Sequence, residues 1–373
     1  MKRLAYVRTG PVPIANVSLE RVLRERLDDW ELITIDVKQL VRRSRWLSAR
    51  LGASAGLRYH RDLLAGHWSF RDALLRTPTS NAVIQDLVRR QLRSLDVDAV
   101  LQMQSLFDAR LPGIPHLVYT DHLHLAGWQS VGQWGKRRAI PRWIVDESDL
   151  YHGADAVLMR TEAVRRVLVE RYAVPIDRTH VVGAGPNSEV APTPRPDGPP
   201  VVLFVGVDWE RKGGDLLVEA MANVRIDHPA ARLVVVGDAP GGLPTWVEAV
   251  GRIDVADIAR YYGRATMFCL PSRQESFGVA VIEAMAAGLP CVVSDVGSLA
   301  EIVDHGRAGL VVPVDDPMAM AAAIAGLIEQ PARAASLGAA AGRRVEDRYS
   351  WRLVADAIGE VLRSVATVPE MAA

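Results

Sequence analysis

The sequence predicts an α/β protein of two domains, each built on a parallel sheet. The chain has 373 residues, and a single hydrophobic core stops growing at roughly 250–300 residues. From Val201 onward, short apolar runs alternate with amphipathic helical patterns, which is typical of a parallel sheet covered on both faces. A proline-rich stretch at 191–200 separates this regular half from a less regular first half. Together these observations favour two α/β domains joined by a short linker.

The first half shows the same alternation of strand and helix patterns, but the boundaries between them are less regular. Its apolar runs predict strands near 3–8, 31–36, 98–103, 115–120, 155–159 and 179–183. Its amphipathic patterns predict helices near 15–27, 83–95 and 162–173.

The linker follows from composition. The stretch APTPRPDGPP holds five prolines, which can neither pair in a central strand nor continue a helix. We therefore predict a first domain over 1–190, a linker over 191–200 and a second domain over 201–345. The remaining residues, 346–373, predict a C-terminal helix.

The second half alternates with little ambiguity. The predicted strands are VVLFVG, ARLVVVG, TMFCLP, PCVVS and GLVVP. The predicted helices are GDLLVEAMANV, DVADIARYYGRA, FGVAVIEAMAAG, SLAEIVDHG and PMAMAAAIAGLIEQ. This order indicates a Rossmann-like domain, in which ligands bind outside the carboxyl ends of the strands. If both halves are Rossmann-like and face each other, they enclose a cleft between those ends.

Composition excludes several classes of protein. The formal net charge is +0, so no overall field favours a nucleic-acid partner. Hydrophobic residues make up 49% and charged residues 24% of the chain, which excludes a largely disordered or fibrous protein. The two cysteines, Cys269 and Cys291, lie in apolar runs and suit neither a disulfide framework nor a zinc site. A reducing compartment is expected.

Two segments are considered as a possible signal peptide and a possible membrane-spanning helix. The opening MKRLAYVRTGPVP has too short an apolar run for a signal peptide. The longest apolar run, 317–328, is well below the roughly 20 residues that span a bilayer. We therefore expect a cytoplasmic protein.

The stretch SRQESFGVAVIEAM contains two glutamates, Glu275 and Glu283, around the start of an apolar helix. The helix is predicted to begin near Phe277, and Gly278 lets the backbone approach a ligand closely. Free N–H groups and the helix dipole would there stabilise a phosphate. If the segment is fully helical, the glutamates are roughly 12 Å apart, which suits two sugar diols on either side of a pyrophosphate. The alternative is an acidic residue at a helix N-terminus and a solvated residue on a helix face.

The stretch PSRQESFGVAVIEAMAAGLPCVVSDVGSLAEIV closely resembles the signature of the retaining GT-B-fold glycosyltransferases of family 4 (glycosyl transferases group 1). The resemblance consists of the paired glutamates, the Phe-Gly pair between them, the Ala-x-Gly-x-Pro turn and the later Gly-x-x-x-Glu. Weaker likeness extends over nearly the whole chain, including YTDH at 119–122 and YSW at 349–351. It implies that the C-terminal helix crosses back to the first domain. It also implies transfer of a sugar from a nucleotide-diphosphate-sugar donor, with retention of configuration, to a hydroxyl of a glycan, lipid-linked or small-molecule acceptor.

The resemblance assigns roles in the predicted helix. Glu283 would bind the ribose hydroxyls of the donor and Glu275 the transferred sugar. The backbone at Phe277, Gly278 and Val279 would hold the diphosphate. The likeness does not identify the base or the sugar.

Further donor residues follow from the segment VGVDWERKGG. Gly206 ends the strand and Lys212 matches the lysine that neutralises the diphosphate. The family often has arginine directly after this glycine, where this chain has Val207, so Arg211 is the candidate for a second positive charge. The alternative for Arg211 and Lys212 is a solvated loop.

The segment GRIDVADIARYYGRA matches the part of the family that lines the base pocket. The resemblance makes Arg252 and Ile253 base contacts, mostly through their backbone.

In the first domain, Asp121 and His122 follow a predicted strand. The resemblance implies that His122 faces the reacting sugar, with Asp121 as orienter or acceptor base; the alternative is ordinary loop residues. Gly10 is a candidate acceptor contact, although the family usually has two glycines there.

Two basic segments with tryptophan, 41–61 and 134–144, suit either an anionic membrane surface or solvated helices with the indole packed inward.

No cofactor or metal is expected, since the sequence shows no acidic cluster with metal-ligand spacing, and cations with helix amides can stabilise the leaving diphosphate. Two other functions remain open: a sugar-nucleotide epimerase or phosphorylase on the same fold, and a non-catalytic nucleotide-sugar-binding homologue.

Overall fold

A computed structural model describes most of the chain. The described residues are 1–10, 14–43, 49, 51–53, 56–57, 60–61, 64, 78–105, 107–120, 123, 142–193 and 198–366.

The chain divides into two compact units. Unit 1 comprises Met1–Arg160, Val164–Val182 and Val354–Ala373, and unit 2 comprises Thr161–Ala163 and Gly183–Leu353.

Within the described residues, unit 1 has one sheet of six parallel strands in the order β2-β1-β3-β4-β5-β6. The strands are β1 (Lys2–Arg8), β2 (Trp30–Asp36), β3 (Ala99–Met103), β4 (His116–Thr120), β5 (Ala156–Met159) and β6 (Thr179–Val181). In the register, Leu4 of β1 pairs with Leu32 of β2 on one side and Ala99 of β3 on the other. All five residues of β3 and of β4 are buried, as expected of parallel strands with both faces covered.

Helices cover this sheet. They are α1 (Ala15–Arg26), α2 (Val37–Arg42), α3 (Pro78–Arg93), α4 (Arg142–Gly153) and α5 (Glu162–Tyr172). Helix α3 contributes Ile84, Val88 and Leu92 to one core cluster, and their spacing places them on one helix face. Leu150 of α4 and Leu168 of α5 belong to a second cluster with Val157.

Unit 2 repeats the architecture, and its described residues form six parallel strands in the order β12-β11-β10-β7-β8-β9. The strands are β7 (Val201–Gly206), β8 (Arg232–Gly237), β9 (Val247–Gly251), β10 (Met267–Leu270), β11 (Cys291–Ser294) and β12 (Leu310–Val312). Both cysteines are free thiols buried in the sheet.

The helices of unit 2 connect these strands. They are α6 (Gly214–Asp227), α7 (Ala259–Arg264), α8 (Val279–Ala286), α9 (Leu299–Ile302), α10 (Pro317–Glu329) and α11 (Pro331–Arg348). Helix α10 begins as expected at Pro317, and the Asp316 side chain caps it by accepting the N–H of Ala319 at 2.8 Å.

The last helix, α12 (Trp351–Ala366), begins in unit 2. From Val354 onward it groups with unit 1. Residues 346–348, expected in this helix, instead complete α11.

Residues 183–190 were expected in the first domain but group with unit 2. The reason is local bonding, since the Trp351 indole donates to the carbonyl of Pro186 at 2.7 Å. The Trp351 side chain also packs closely on Gly185. Hydrogen bonds from this segment to Glu283, described below, add to the attachment.

Several elements were not predicted. Strand β9 at the sheet edge has no buried residue, with two exposed and three half-buried positions, so it lacks the apolar run that identified its neighbours. The helices α2, α4 and α11 were also missed. None of the helices in the described part of the chain is both long and apolar enough to cross a membrane.

Candidate active site

The strand order of unit 2 reverses between β7 and β10. From β7 the sheet continues to β8 and β9 on one side and to β10, β11 and β12 on the other. In open parallel sheets, ligands bind outside the carboxyl ends of the strands at such a reversal. The loops that follow β7 and β10, at 207–213 and 271–278, therefore form the candidate ligand site of unit 2.

Hydrogen bonds hold these two loops together. The N–H of Arg273 donates to the carbonyl of Arg211 at 2.9 Å, and the Arg211 guanidinium donates to the carbonyl of Gln274 at 3.0 Å. Gly213 has a left-handed backbone (φ 72°), and a Cβ there would lie 2.0 Å from the carbonyl oxygen of Pro271. Only glycine allows this approach.

Lys212 and Glu275 meet at this junction. The Lys212 Nζ donates to Glu275 Oε2, and the side chains are only 13% and 9% exposed. The Lys212 side chain passes over Gly206 at the end of β7, where an added Cβ would lie 3.2 Å from Lys212 Cγ. Neither side chain is solvated, so the surface-loop alternative for Lys212 is wrong.

Arg211 lies beside this pair but has its own acidic partner. Its Nε donates to Asp208 Oδ2 at 2.8 Å, and Asp208 follows β7 with a left-handed backbone (φ 70°). Val207, at the position where arginine is frequent in the family, is 50% exposed.

Helix α8 begins at Val279 rather than near Phe277. Gly278 precedes it in the left-handed region (φ 106°), and the Phe277 side chain is buried against Tyr349. Because residues 275–278 are not helical, the separation of 12 Å expected for a continuous helix does not apply. By helix geometry, the N–H groups of Val279 and Ala280 have no intrahelical acceptor and point out of the helix start.

Glu283 is buried, with 6% exposure. Its Oε1 accepts the N–H groups of Asn187 and Ser188 at 3.1 and 3.0 Å, and its Oε2 accepts the Tyr262 hydroxyl at 3.0 Å. Burial raises the pKa of Glu283, although the hydrogen bonds from Ser188, Tyr262 and Asn187 lower it in part. The solvated-face alternative is therefore wrong for this residue.

At the ends of β8 and β9, Arg252 forms a fork with Asp238. The Nε and Nη2 atoms of Arg252 donate to the two carboxylate oxygens at 2.6 and 2.8 Å, and this bonding lowers the pKa of Asp238 to about 2. Asp238 Oδ2 also accepts the N–H of Asp208 at 3.2 Å. Ile253, beside Arg252, is half-buried.

Two charged residues of the site, Arg273 and Asp238, were not predicted from the sequence. Arg273 donates to both carboxylate oxygens of Asp215 at 2.8 and 2.7 Å and to Asp315 at 2.7 Å, which anchors the loop after β10. Asp238 follows the strand ARLVVVG directly. That place, just after the carboxyl end of a strand, is the signal that sequence reasoning left unused.

Of the site residues predicted in unit 1, Gly10 lies within the described residues. Gly10 has a left-handed backbone (φ 82°), and a Cβ there would lie 2.8 Å from Lys38 Cδ. Asp121 and His122 lie outside the described residues, as do 44–48, 50, 54–55 and 58–59 of the first basic segment and 134–141 of the second. In the part of the chain that is described, no three His, Cys, Asp or Glu side chains cluster in a way that suits a metal ion.

Solved structures share this architecture over nearly the whole chain. Sucrose-phosphate synthase from Thermosynechococcus elongatus has a TM-score of 0.74 at 20% identity, covering 98% of this chain and 99% of its own. HepE from Anabaena, solved in complex with UDP and glucose, has a TM-score of 0.67 at 16% identity, covering 98% of this chain and 100% of its own. At these identities the likeness establishes the fold alone. The protein has the α/β GT-B fold.

Comparison of the amino-acid sequence with known proteins finds a similar family and similar curated relatives. Residues 199–330 match the family model described as glycosyl transferases group 1. D-inositol 3-phosphate glycosyltransferase from Kineococcus radiotolerans is 31% identical over 259 residues, covering 59% of this chain and 59% of the relative. The chain thus spans about three fifths of the length of the curated relatives that it matches. The matched residues lie in the second unit, which is therefore similar to the glycosyl transferases group 1 family over 199–330.

Proposed function

We propose that the protein is a retaining glycosyltransferase that moves a sugar from a nucleotide-diphosphate-sugar to a hydroxyl of an acceptor. The observation that carries the proposal is the contact between Lys212 and Glu275 at the sheet reversal, beside the N-terminus of α8. It brings together a cation for a diphosphate, a carboxylate for sugar hydroxyls and unpaired helix N–H groups. The family match and the UDP complex of a fold relative support a donor of this class.

The diphosphate would bind at the start of α8. The N–H groups after Gly278 and the helix dipole favour an anion there. The Lys212 ammonium has three donors and can therefore contact both a phosphate oxygen and Glu275. Arg211 is the proposed second cation, and to serve it must exchange its bond to Asp208.

The sugar and ribose contacts follow from the two glutamates. Glu275 would accept hydrogen bonds from hydroxyls of the transferred sugar. Glu283 is the proposed ribose contact, but its carboxylate has about four acceptor positions and protein donors already occupy three. One acceptor position is left, and a ribose diol has two hydroxyl donors. Glu283 must therefore release at least one protein donor to bind both hydroxyls of the diol.

The base would contact the backbone of Arg252 and Ile253, because the Arg252 side chain is held in a fork by Asp238. In unit 1, we propose that His122 and Asp121 are the pair that faces the reacting sugar. Gly10 is the proposed acceptor contact.

Catalysis would rest on electrostatic stabilisation of the leaving group. Cleavage of the bond between the anomeric carbon and the phosphate oxygen builds negative charge on the diphosphate, and preorganised donors lower the energy of that state. We propose that Lys212 and the α8 N–H groups supply this stabilisation without a metal ion. We also propose that no covalent sugar forms on Glu275, because its carboxylate is bonded to Lys212.

The test is nucleotide release from UDP-, GDP- and ADP-sugars, with and without hydroxyl acceptors, alongside thermal shifts with each donor. We expect one nucleotide to stabilise the fold by mass action and to be released slowly without acceptor. Lys212→Ala should lower the release rate by about 10²-fold or more, as expected for loss of a leaving-group contact. Glu275→Gln should also lower it strongly.

One matched control is Lys2→Ala, which removes an exposed lysine of unit 1 outside the proposed donor site. The other is Glu219→Gln, which changes an exposed carboxylate on α6. Both should retain full activity. With an acceptor that supports turnover, the coupling constant of the anomeric proton reports retention. Stabilisation by a donor without any release would instead favour the non-catalytic alternative, and no response to any of the three donors would refute the proposal.

A further inference from the structure

Unit 1 contains a cavity of about 400 Å³ whose wall is rich in arginine. It lies between the C-terminal end of α3 and the segment that joins β3 to β4. The lining residues are Arg89, Arg93, Asp108, Arg110, Leu111 and Pro112. The lining itself thus carries three guanidinium groups and one carboxylate, while Asp149 and Asp155 are further carboxylates that act on Arg110.

The carboxylate of Asp108 is already fully engaged. Arg110 donates to it from its backbone N–H at 2.9 Å and from its guanidinium at 2.8 to 3.0 Å. Arg89 adds a further bond at 2.8 Å. Burial alone would raise the pKa of Asp108, but the bonds from Arg110 outweigh it and lower the pKa, so the group is ionised. With about four acceptor positions in use, Asp108 cannot also neutralise Arg93.

Arg93 is exposed at the end of α3. Within the described residues it has neither a hydrogen bond nor an ion pair, which makes it the cavity's uncompensated charge. Arg90, in the same helical turn but outside the cavity, is paired with Asp86 at 2.6 Å.

Asp108 also orients its neighbours. Its bonds use the Nε and Nη2 atoms of Arg110 and hold the guanidinium in a fixed plane, so the donors that Asp108 leaves over can bind a phosphate oxygen with little further loss of side-chain entropy. The apolar side chains of Leu111 and Pro112 complete the wall, so the cavity also has a surface for a non-polar ring face.

The cavity lies away from the carboxyl ends of the strands. Helix α3 ends at Arg93 and β3 begins at Ala99, while β4 begins at His116, shortly after Pro112. The cavity is therefore near the amino ends of β3 and β4, at the opposite edge of the sheet from the ends where ligands of this fold class bind.

We propose that this cavity is a second binding site of the protein, specific for the phosphate group of a small phosphorylated metabolite such as a hexose phosphate. Arg93 and Arg110 bind the phosphate oxygens, and Leu111 with Pro112 contacts the carbon skeleton. The site is independent of the glycosyl transfer proposed above.

The test is hydrogen–deuterium exchange of the whole chain in inorganic phosphate or glucose 6-phosphate, each against sodium chloride of equal ionic strength. Peptides over 86–95 and 104–115 should gain protection with either compound. Local protection separates this site from the diphosphate site proposed in unit 2, whose peptides are read in parallel. Vesicles that contain phosphatidic acid form a further arm, because a lipid headgroup presents the same phosphate chemistry.

Arg93→Ala should raise the half-saturating concentration by about tenfold or more, as for loss of a charge-assisted hydrogen bond. Arg93→Lys should restore part of the affinity. Arg90→Ala, which removes one positive charge from the same turn, should leave it unchanged, and circular dichroism checks that each variant folds.

Protection by either soluble compound that depends on Arg93 supports the proposal. Protection by the vesicles alone would overturn the assignment to a soluble metabolite. Equal losses of affinity in Arg93→Ala and Arg90→Ala would show a non-specific charge effect and would overturn the site. An absence of protection at tens of millimolar phosphate or glucose 6-phosphate would show that the arginines serve only to hold Asp108, and it would also overturn the site.

Discussion

At the scale of single residues, the site in unit 2 is held by ion pairs that a charged donor would have to share. Lys212 is bonded to Glu275, and Arg211 to Asp208. The low exposure of the Lys212–Glu275 pair strengthens its attraction and keeps the ammonium in place, whereas the Arg211–Asp208 pair is more exposed and is held less strongly. Lys212 is therefore preorganised at the place where the diphosphate is proposed to bind.

His116 in unit 1 shows how a buried residue sets a pH dependence. Its Nε2 lies 3.1 Å from Gln102 Oε1, which also accepts the N–H of Ala109, so His116 is a neutral donor at Nε2. With 1% exposure, burial lowers its pKa from 6.5 to about 3, and the positive charges of Arg110 and Arg89 act in the same direction, against Asp108.

This predicts a loss of stability in acid. As pH falls from 6.5 toward 3, the unfolded chain binds a proton that folded His116 does not, so the free energy of unfolding falls by at most about 1.4 kcal/mol per pH unit. Between pH 7 and pH 5, the wild type should lose about 2 kcal/mol more than His116→Gln, which cannot titrate. Urea unfolding of both proteins at the two pH values measures this, and equal losses would contradict it.

At the scale of elements, the start of α8 depends on Gly278. Its backbone lies in the left-handed region (φ 106°), and a Cβ would lie 2.6 Å from Leu299 Cδ2. The eight-residue helix ends near Gly288, also left-handed (φ 74°). Glycines at both ends therefore let a short, apolar helix begin and stop where the flanking strands require.

Gly278→Ala should lower the free energy of unfolding by about 1–3 kcal/mol, because alanine is strained in this conformation. It should also weaken donor binding, since the N–H groups at the helix start would shift. The matched control is Gly326→Ala in α10, where an added Cβ meets no atom within 4 Å. This substitution should stabilise the protein by about 0.5–1 kcal/mol, because alanine is favoured over glycine inside a helix. Thermal unfolding distinguishes them, and a neutral Gly278→Ala would be inconsistent with this account.

At the scale of the whole molecule, the chain passes from one unit to the other several times. The last crossing is at Leu353–Val354, inside α12. Beyond it, Gly359 lies against Leu27, where an added Cβ would be 2.9 Å from Leu27 Cδ2. Asp356 accepts two hydrogen bonds from Arg26 at 2.8 Å. These contacts make α12 part of the folding unit that begins the chain.

Ile358→Ala should therefore destabilise unit 1 selectively. Ile358 is fully buried, and truncating a buried isoleucine costs about 2–5 kcal/mol. Hydrogen–deuterium exchange should speed up in β1 and α1 and stay unchanged in the strands of unit 2. Asp356→Ala, two residues away, breaks an exposed ion pair and should have little effect. Faster exchange confined to unit 2 would contradict the assignment of α12.

Much of the architecture was accessible from local pattern. All six strands of unit 1 and five of unit 2 were predicted, because apolar runs such as that of β7 report burial on both faces of a parallel strand. Strand β9 was missed because an edge strand is half solvated and its sequence lacks that run. The segment from Glu275 to Glu283 was found because its residues are contiguous.

The sequence by itself determined the fold class, the loops that carry the site and the residue types placed there, since periodicity and turn residues act over a few positions. Only the tertiary structure decided which side chains meet. Lys212 and Glu275 are 63 residues apart, and Glu283 lies 96 residues from its donor Asn187. The arginine cavity likewise joins the end of one helix to a later loop. Such contacts depend on strand order and on the path of each loop through space, neither of which leaves a local pattern in the sequence.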